Sequence, residues 1–249
     1  MKINYQNRII AFVDVLGFKN LVFSNSNKKL NQYFNVIIND FKVDAKKYSL
    51  KYLLISDAIV VSVKNTEESF KAIVSILSKL QTKLLLHGIL IRGGISFGDL
   101  YINRTQNIVV GAGMINAYQL ESKAIYPRII IDGRLIKYHY NNITNAVQLL
   151  NGRIRFKQPN PYKSDFAYLD FARLAVIFFT IGQLKKVVEY LRSEYYNSQN
   201  VYKYEWLRNQ IILSLDDQIS YMEDKDEWSS RDRRRLKFCF EIIEDLKKM

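Results

Sequence analysis

The sequence of 249 residues contains one cysteine, Cys239, and two histidines, His87 and His139. A single cysteine cannot form an internal disulfide, which is typical of proteins in a reducing compartment. So few thiol and imidazole ligands argue against a dedicated zinc site. The opening segment MKINYQNRII lacks the apolar stretch of a signal peptide, and no apolar run reaches the roughly 20 residues of a membrane span. We therefore expect a cytoplasmic protein without a membrane segment.

Acidic residues are also scarce, because 24 Asp and Glu stand against 37 Lys and Arg, giving a net charge of +13. Residues 1–163 carry 23 basic and 9 acidic residues, whereas residues 164–249 carry 14 and 15. Such an excess either keeps a protein soluble or attracts a polyanion such as nucleic acid, acidic lipid or nucleotide. The last part is nearly neutral, and the aromatic residues are not grouped on one basic strand as in RNA-binding sheets. We do not expect a nucleic-acid partner.

Prolines number only three, and two of them lie in QPNPYKSD, which marks a joint in the chain. Before this joint, strand-like and helix-like patterns alternate. Their hairpins predict an α/β sandwich with a largely antiparallel sheet flanked by helices. Beyond the joint, the pattern is helical almost throughout. With 48% apolar residues available for a core, we predict a mixed domain over residues 1–160 and a helical C-terminal extension over residues 161–249.

Two acidic residues interrupt apolar patterns in the first part. RIIAFVDVLGF, residues 8–18, predicts a buried strand that carries Asp14, and KYLLISDAIVVSV, residues 51–63, predicts a hairpin with Asp57 at its tip. An unpaired buried carboxylate costs several kcal/mol or more, so Asp14 needs a partner. If the strands are neighbours, both acids emerge at one sheet edge, where two hard oxygen ligands suit Mg²⁺ or Mn²⁺. Alternatively, Asp57 only forms its turn and Asp14 caps a helix.

Five segments between residues 8 and 132 form an ordered series: AFVDVLGF, LLISDAIVVS, LIRGGISFG, GAGMINAYQLES and YPRIIID. In this order they resemble the class III nucleotidyl cyclases, namely their two metal-binding segments, an Arg-x-Gly-Ile strand, the catalytic helix and a phosphate-binding strand. The resemblance implies a class III cyclase-like fold and a metal-dependent enzyme with two Mg²⁺ or Mn²⁺ ions per site. It also implies a head-to-tail homodimer with active sites at the subunit interface.

Carried over by position, the resemblance implies that Asp14 and Asp57 hold both metal ions, with help from the carbonyl of Val15. It implies a phosphate cradle of backbone N–H groups at a helix start, formed by Leu16, Gly17 and Phe18. It further implies that Arg92 and Arg128 bind the triphosphate, since the arginine fork suits phosphate oxygens.

The sequence departs from the family pattern where a purine base would be recognised. Leu53 and Ile108 stand where the usual Lys and Asp are expected, and a site without them cannot recognise adenine or guanine in the usual way. In the helix, Ile115 stands at the usual Asn, unless a shift of one residue brings Asn116 there. Neither alignment supplies the usual transition-state arginine. Three basic residues are candidates to replace it: Arg104, Lys123 and Arg134.

AFVDVLGF and the Ala-Tyr-x-Leu-Glu helix of residues 117–121 together resemble the bacterial pyrimidine cyclases of anti-phage signalling. This resemblance implies conversion of UTP or CTP to a cyclic 3′,5′-monophosphate and pyrophosphate, with a separately encoded effector that responds to the product. Tyr52 would narrow the base pocket, although its odd separation from Asp57 also fits a tyrosine packed on the opposite sheet face. Two alternatives remain open: a purine cyclase with unconventional base contacts, and a catalytically silent nucleotide- or RNA-binding homologue.

The segment WSSRDRRRL, residues 228–236, predicts a helix start with a serine cap. Its four arginines oppose the helix dipole. They either bind an anion or an acidic neighbour, or form a solvated or internally paired face.

Overall fold

The computed structural model describes residues 3–24, 27–103, 105–106, 108–156, 167–225 and 227–249. The chain forms two compact units, Met1–Asp170 and Phe171–Met249. The domain boundary predicted between residues 160 and 161 lies outside the described residues.

The first unit is built on a sheet with the strand order 2-3-1-4-6-8-7. In chain order the strands are β1 Gln6–Val15, β2 Lys51–Ile55, β3 Ala58–Lys64, β4 Ile91–Asn103, β5 Ile108–Val110, β6 Ile129–Ile131, β7 Ile154–Phe156 and β8 Ala167–Leu169. The described pairs are antiparallel except β4 with β6, and β5 pairs with the last residues of β4. The predicted largely antiparallel α/β fold is confirmed.

Helices cover both faces of this sheet. They are α1 Phe18–Phe23, α2 Asn27–Val36, α3 Lys42–Lys47, α4 Glu67–Leu86, α5 Ala112–Lys123, α6 Gly133–Tyr140 and α7 Ile143–Leu149, with a π-helical turn Ile37–Phe41 between α2 and α3. The long helix α4 begins where the Thr66 side chain accepts a hydrogen bond from the Ser69 N–H, a typical N-cap.

The middle of strand β1, residues 9–13, is apolar because both of its faces are covered. Ile9 and Val13 pack into the larger core, which includes residues of α2 and α4. Ile10 packs into a smaller core with Ala117 of α5 on the opposite face. Since side chains alternate along a strand, Asp14 lies on the same face as Ile10, the one that α5 covers.

The second unit is helical over its described residues, as predicted for the C-terminal extension. Its helices are α8 Phe171–Phe178, α9 Ile181–Asn197, α10 Val201–Glu223 and α11 Ser230–Lys247. The predicted serine cap is confirmed, because Ser229 and Asp232 form a capping box at the start of α11. Across the described part of the chain, no helix combines the length and apolar character that crossing a membrane requires.

Helix α5 lies against β4 at a glycine. A Cβ atom added to Gly94 would lie 2.4 Å from the carbonyl oxygen of Ala117 and 2.4 Å from the Cβ of Leu120. Real Cβ atoms do not approach so closely, so only glycine permits α5 to pack at this distance.

We expect Gly94→Ala to lower the free energy of unfolding by about 2 kcal/mol or more, because the clash involves the backbone of α5. Urea unfolding measures the change. Gly133→Ala is the matched control, since an added Cβ there meets nothing within 4 Å; it should be neutral or stabilise by up to about 1 kcal/mol. Equal stability of the Gly94 variant and the wild type would contradict the close packing.

Candidate active site

The structure brings Asp14 and Asp57 together. Strand β1 pairs with β3 through Val13 and Ile59, so the end of β1 lies beside the turn that precedes β3. Asp57 is the second residue of that two-residue turn. The first is Ser56, whose backbone is left-handed with a φ of 57°. The two carboxyl groups are close enough to share a hydrogen bond, and the side chain of Asp14 is 24% exposed.

This proximity changes the acidity of Asp14. Burial is the first cause that raises its pKa, to about 6 from an ordinary 3.8. The hydrogen bond with Asp57, the negative charge of Asp57 and that of Glu121 raise the pKa further, while Arg92 acts in the opposite direction. Asp14 therefore retains a proton more readily than an isolated carboxylate, and a cation could take the place of that proton.

The carbonyl of Val15 is directed towards the two acids. The N–H of Leu16 donates to the carbonyl of Leu90 at 2.8 Å, so these residues form a hydrogen-bonded pair between β1 and β4. Because hydrogen-bonded and non-bonded pairs alternate in an antiparallel ladder, the polar backbone groups of Val15 point away from β4. They point to the side where the β2–β3 turn and Asp57 lie.

The donor set fits a divalent cation. Mg²⁺ usually binds one or two carboxylates and completes its shell with water and substrate phosphates. Asp14, Asp57 and the Val15 carbonyl would supply such a partial shell. Within the described residues, no group of three or more His, Cys, Asp or Glu side chains is placed to hold a metal ion, so the phosphates of a substrate would have to contribute ligands.

A buried tyrosine, which the sequence reasoning missed, holds the hairpin tip. The hydroxyl of Tyr33 on α2 donates to the Asp57 carbonyl at 3.3 Å, and the residue is 0% exposed. Burial, followed by the charges of Asp57 and Asp14, raises the pKa of Tyr33 above its ordinary value. Tyr33 lies in an ordinary amphipathic helix pattern, so no local signal distinguishes it.

The two predicted phosphate arginines lie at the same sheet edge. Arg92 pairs in register with Asp14, and Arg128 immediately precedes the parallel pairing of β6 with β4, where its carbonyl accepts from the Gly93 N–H at 3.1 Å. By strand alternation both side chains lie on the face that α5 covers. The Nε atoms of both arginines are buried without a hydrogen-bond partner among the described residues, so both could still donate to an anion.

Arg92 also has a partner that the sequence reasoning did not assign. Its Nη2 lies 2.7 Å from Oε1 of Glu121 on α5 and 3.8 Å from Oδ2 of Asp14. The Glu121 side chain is only 5% exposed, yet its Oε1 makes no well-directed hydrogen bond despite the short contact. Arg92 therefore balances two carboxylates, and an incoming phosphate would compete with Glu121 for it.

Arg128 is held by aromatic rings. Its guanidinium carbon lies 5.4 Å from the ring centroid of Tyr126 and 5.6 Å from that of Tyr168, distances typical of cation–π contacts. Burial lowers the pKa of Arg128 from its ordinary value, although an arginine remains charged at neutral pH.

The predicted cradle of residues 16–18 is only partly available. The Leu16 N–H is already bonded to the Leu90 carbonyl, so it cannot also bind phosphate, and that part of the prediction is wrong. Gly17 has a φ of 74° and directly precedes the six-residue helix α1, which begins at Phe18. The first backbone N–H groups of a helix have no intrahelical partner, so those of Gly17 and Phe18 remain the candidates.

The other predicted substrate residues do not all meet the acids within one chain. Tyr52 packs into the larger core with its ring 5.3 Å from that of Phe41, on the face opposite Asp14. Leu53 packs into the smaller core on the same face as Asp14. Ile108 pairs with Asn103 at the far end of β4, and Asn116 on α5 donates to the Phe97 carbonyl at 3.5 Å.

The three basic candidates to replace the transition-state arginine lie in different segments of the chain. Arg134 forms an ion pair with Asp132 at 2.7 Å, and Lys123 is exposed at the end of α5. Arg104 lies outside the described residues.

Comparison with solved structures returns nucleotide cyclases at low identity. The adenylyl cyclase CyaB from P. aeruginosa is 17% identical, with a TM-score of 0.49 over 68% of this chain and 95% of that one. The guanylyl cyclase Cya2 is 16% identical, with a TM-score of 0.46 over 68% and 93%. The monomeric guanylyl cyclase domain of RhoGC from Blastocladiella emersonii is 13% identical, with a TM-score of 0.46 over 68% and 98%. No family model and no curated protein matches the chain.

We expect Asp14→Asn to stabilise the folded protein at pH 8 by about 1–3 kcal/mol. With a pKa of about 6 against 3.8, the folded state binds the Asp14 proton more tightly than the unfolded chain. Stability therefore falls as pH rises between these two values, and the variant removes this loss. Urea unfolding at pH 4, 6 and 8 measures the effect.

Asp99→Asn, at an exposed position elsewhere on β4, is the control for the Asp14 measurement and should keep the wild-type pH dependence. A stability gain for Asp14→Asn that is equal at pH 4 and pH 8 would contradict the raised pKa.

Removing the charge of Glu121 is expected to destabilise the fold by about 1–3 kcal/mol, because Glu121→Gln leaves Arg92 without its nearest counter-charge. Glu67→Gln is the matched control. Glu67 forms an ion pair with Lys71 at 2.6 Å, but its side chain is 42% exposed, so its loss should cost less than about 0.5 kcal/mol. Similar losses in the two variants would show that the Arg92 pair behaves as a surface contact.

Proposed function

We propose that the protein is a nucleotidyl cyclase that converts a pyrimidine nucleoside triphosphate, UTP or CTP, to the cyclic 3′,5′-monophosphate and pyrophosphate. One observation carries this proposal: two carboxylates and two arginines from four separate motifs lie on neighbouring segments at one edge of the sheet. Carboxylates for divalent cations beside cations for phosphate form the arrangement that a metal–nucleotide substrate requires.

Each group at this edge has a role in the proposed reaction. Mg²⁺ or Mn²⁺, when bound, would polarise the α-phosphate and lower the pKa of the attacking hydroxyl. Asp14 and Asp57 hold that charge at the end of β1, and the Tyr33 hydrogen bond keeps the Asp57 turn in place. Arg92 and Arg128 bind the triphosphate oxygens and stabilise the charge that develops on the leaving group.

The reaction is an intramolecular displacement at phosphorus. The ribose 3′ oxygen forms a bond to the α-phosphorus as the bond from that phosphorus to the bridging β-phosphate oxygen breaks. Pyrophosphate leaves with the bonding electron pair, and the proton of the 3′-hydroxyl passes to solvent. Positioning of the two ends of the substrate supplies much of the acceleration.

The apolar character of Leu53 argues against recognition of a purine base in the usual way. Leu53 packs among apolar side chains on the Asp14 face, and it presents no polar atom for a purine edge. The Ala-Tyr-x-Leu-Glu helix contributes Glu121, which contacts Arg92. These features agree with the resemblance to pyrimidine cyclases, which also assigns the product a role in anti-phage signalling through a separate effector.

A homodimer with sites between subunits accords with the distribution of the predicted residues. Ile108 on β5 pairs with the end of β4 that lies away from Arg92. To contact a substrate bound at Asp14 and Asp57, Ile108 would have to come from a second copy of the chain. Exposed apolar side chains near α5 provide a surface for that contact: Val110 at 41%, Ile115 at 58% and Tyr118 at 53%.

A turnover screen with the four ribonucleoside triphosphates tests the proposal. The protein is incubated with Mn²⁺ and each triphosphate in turn, and cyclic product and pyrophosphate are measured. We expect product from UTP or CTP. Selective turnover of ATP or GTP would replace the pyrimidine assignment with a purine one. Absence of product with any triphosphate, together with nucleotide or RNA binding that weakens steeply with salt, would favour a silent binding homologue.

We expect Asp14→Ala and Asp57→Ala to reduce turnover below detection and to weaken Mn²⁺ binding, because each change removes a metal ligand. Circular dichroism checks that the fold is retained, and electron paramagnetic resonance measures free Mn²⁺. Asp99→Ala removes an exposed acid elsewhere on β4 and should keep wild-type turnover. Wild-type turnover in either Asp14→Ala or Asp57→Ala would remove these residues from the mechanism.

A further inference from the structure

The C-terminal unit contains a cavity that the proposed cyclase reaction does not use. Its volume, about 460 Å³, lies within the range of small-molecule sites. The cavity is open to solvent. The loop between α8 and α9 forms one wall, the end of α10 the floor and the start of α11 the other wall.

The α11 wall of the cavity is cationic. Arg231 and Arg234 are exposed, and neither forms an ion pair with any residue that the structure describes. Asp232 is the acidic residue of the lining, but its carboxylate is bound by Ser229 Oγ at 2.6 Å and by Lys225 Nζ at 3.0 Å. Within the part of the chain that the structure describes, the two arginines therefore have no ion-pair partner.

Arg235 has a different role in the same wall. It donates from Nη1 to the Phe179 carbonyl at 3.1 Å and from Nη2 to the Val176 carbonyl. These contacts join the start of α11 to the end of α8 and fix the width of the cavity. Helix α9 also begins in the lining, at Thr180 and Ile181, so its positive dipole end faces the same space.

The opposite wall is apolar and accessible. Ile177, Phe178 and Ile181 are 46%, 71% and 39% exposed, and all three line the cavity. The exposed ring of Phe178 lines the same cavity as Arg231 and Arg234, so one ligand could contact both the ring and the guanidinium groups. Arginine forks bind phosphate oxygens in pairs, and aromatic rings stack on the flat faces of bases.

We propose that this cavity binds a mononucleotide, with its phosphate on Arg231 and Arg234 and its base against Phe178. Because the cavity is open to solvent, it favours a nucleotide over an acyl chain. The polar edge of a base can remain in contact with water. An acyl chain that stays half exposed loses much of the free energy that its burial would provide. Among the described residues of the lining, Asp232 is the one acid, so the nucleotide is held without a divalent cation. This site is thus a binding site and not a second catalytic centre.

Isothermal titration of the 249-residue chain with AMP, CMP, GMP and UMP in EDTA tests the proposal. We expect saturable binding of at least one mononucleotide at a Kd below about 1 mM. Asp14→Ala with Asp57→Ala should not change this binding, which separates the proposal from the cyclase assignment. Loss of binding in that double variant, or no saturable binding of any mononucleotide, would overturn it.

Matched variants locate the binding. Arg231→Gln with Arg234→Gln should weaken it at least about tenfold, since each change removes a charge-assisted contact. Phe178→Ala should weaken it about fivefold or more through lost stacking. The controls are Arg233→Gln, in the same turn but outside the lining, and Phe240→Ala, an exposed phenylalanine elsewhere on α11. Both should bind within twofold of the wild type.

Two competitors test the ligand class. If inorganic phosphate binds as tightly as the best mononucleotide, the Phe178 wall contributes nothing and the assignment of a nucleotide fails. If decanoate binds more tightly than every mononucleotide, the site takes an acyl anion instead. An equal loss of binding in Arg233→Gln and in the Arg231 and Arg234 double variant would show only unspecific attraction to a basic surface.

Discussion

Two negative charges held side by side are the constraint on which the candidate site depends. The pairing of β1 with β3 places Asp14 beside the turn that carries Asp57, although two carboxylates repel each other. The surrounding fold must therefore supply the free energy that keeps them together. Burial, and after it the contact with Asp57, raises the pKa of Asp14 to about 6. A divalent cation would convert the repulsion into attraction, which explains why such a pair is useful for metal–phosphate chemistry.

The two arginines at this edge of the sheet also have atoms without hydrogen-bond partners. Arg92 and Arg128 keep buried Nε atoms without partners, and Glu121 keeps a buried oxygen without a directed hydrogen bond. A folded protein rarely leaves such atoms unsatisfied unless a ligand completes them. Arg92 already lies between Glu121 and Asp14, so it is the Nε atoms of Arg92 and Arg128 that could donate to a further group. The proposed metal–nucleotide substrate would bring cations to the two acids and phosphate oxygens to the two arginines.

Local patterns predicted the elements that carry this site. The apolar run around Asp14 predicted a buried strand, and Ser56-Asp57 between two strand patterns predicted the hairpin, because turn geometry depends on adjacent residues. Contacts between distant segments could not be predicted in this way. Tyr33 has the pattern of any core residue on a helix, and its bond to the Asp57 carbonyl exists only after α2 packs beside the hairpin. The Leu16 N–H was predicted to bind phosphate but donates to the Leu90 carbonyl. This contact too forms only when distant segments pack together.

The sequence by itself determined which residues could bind metal and phosphate, because residue type sets charge, donor atoms and strand or helix preference. It also determined the face of β1 on which Asp14 lies, since side chains alternate strictly along a strand. Only the tertiary structure decided that Glu121 takes Arg92 as its counter-ion and that Tyr52 turns away from the acids. Those outcomes depend on how α5 and the core helices pack onto the sheet, and packing joins residues that no local pattern relates.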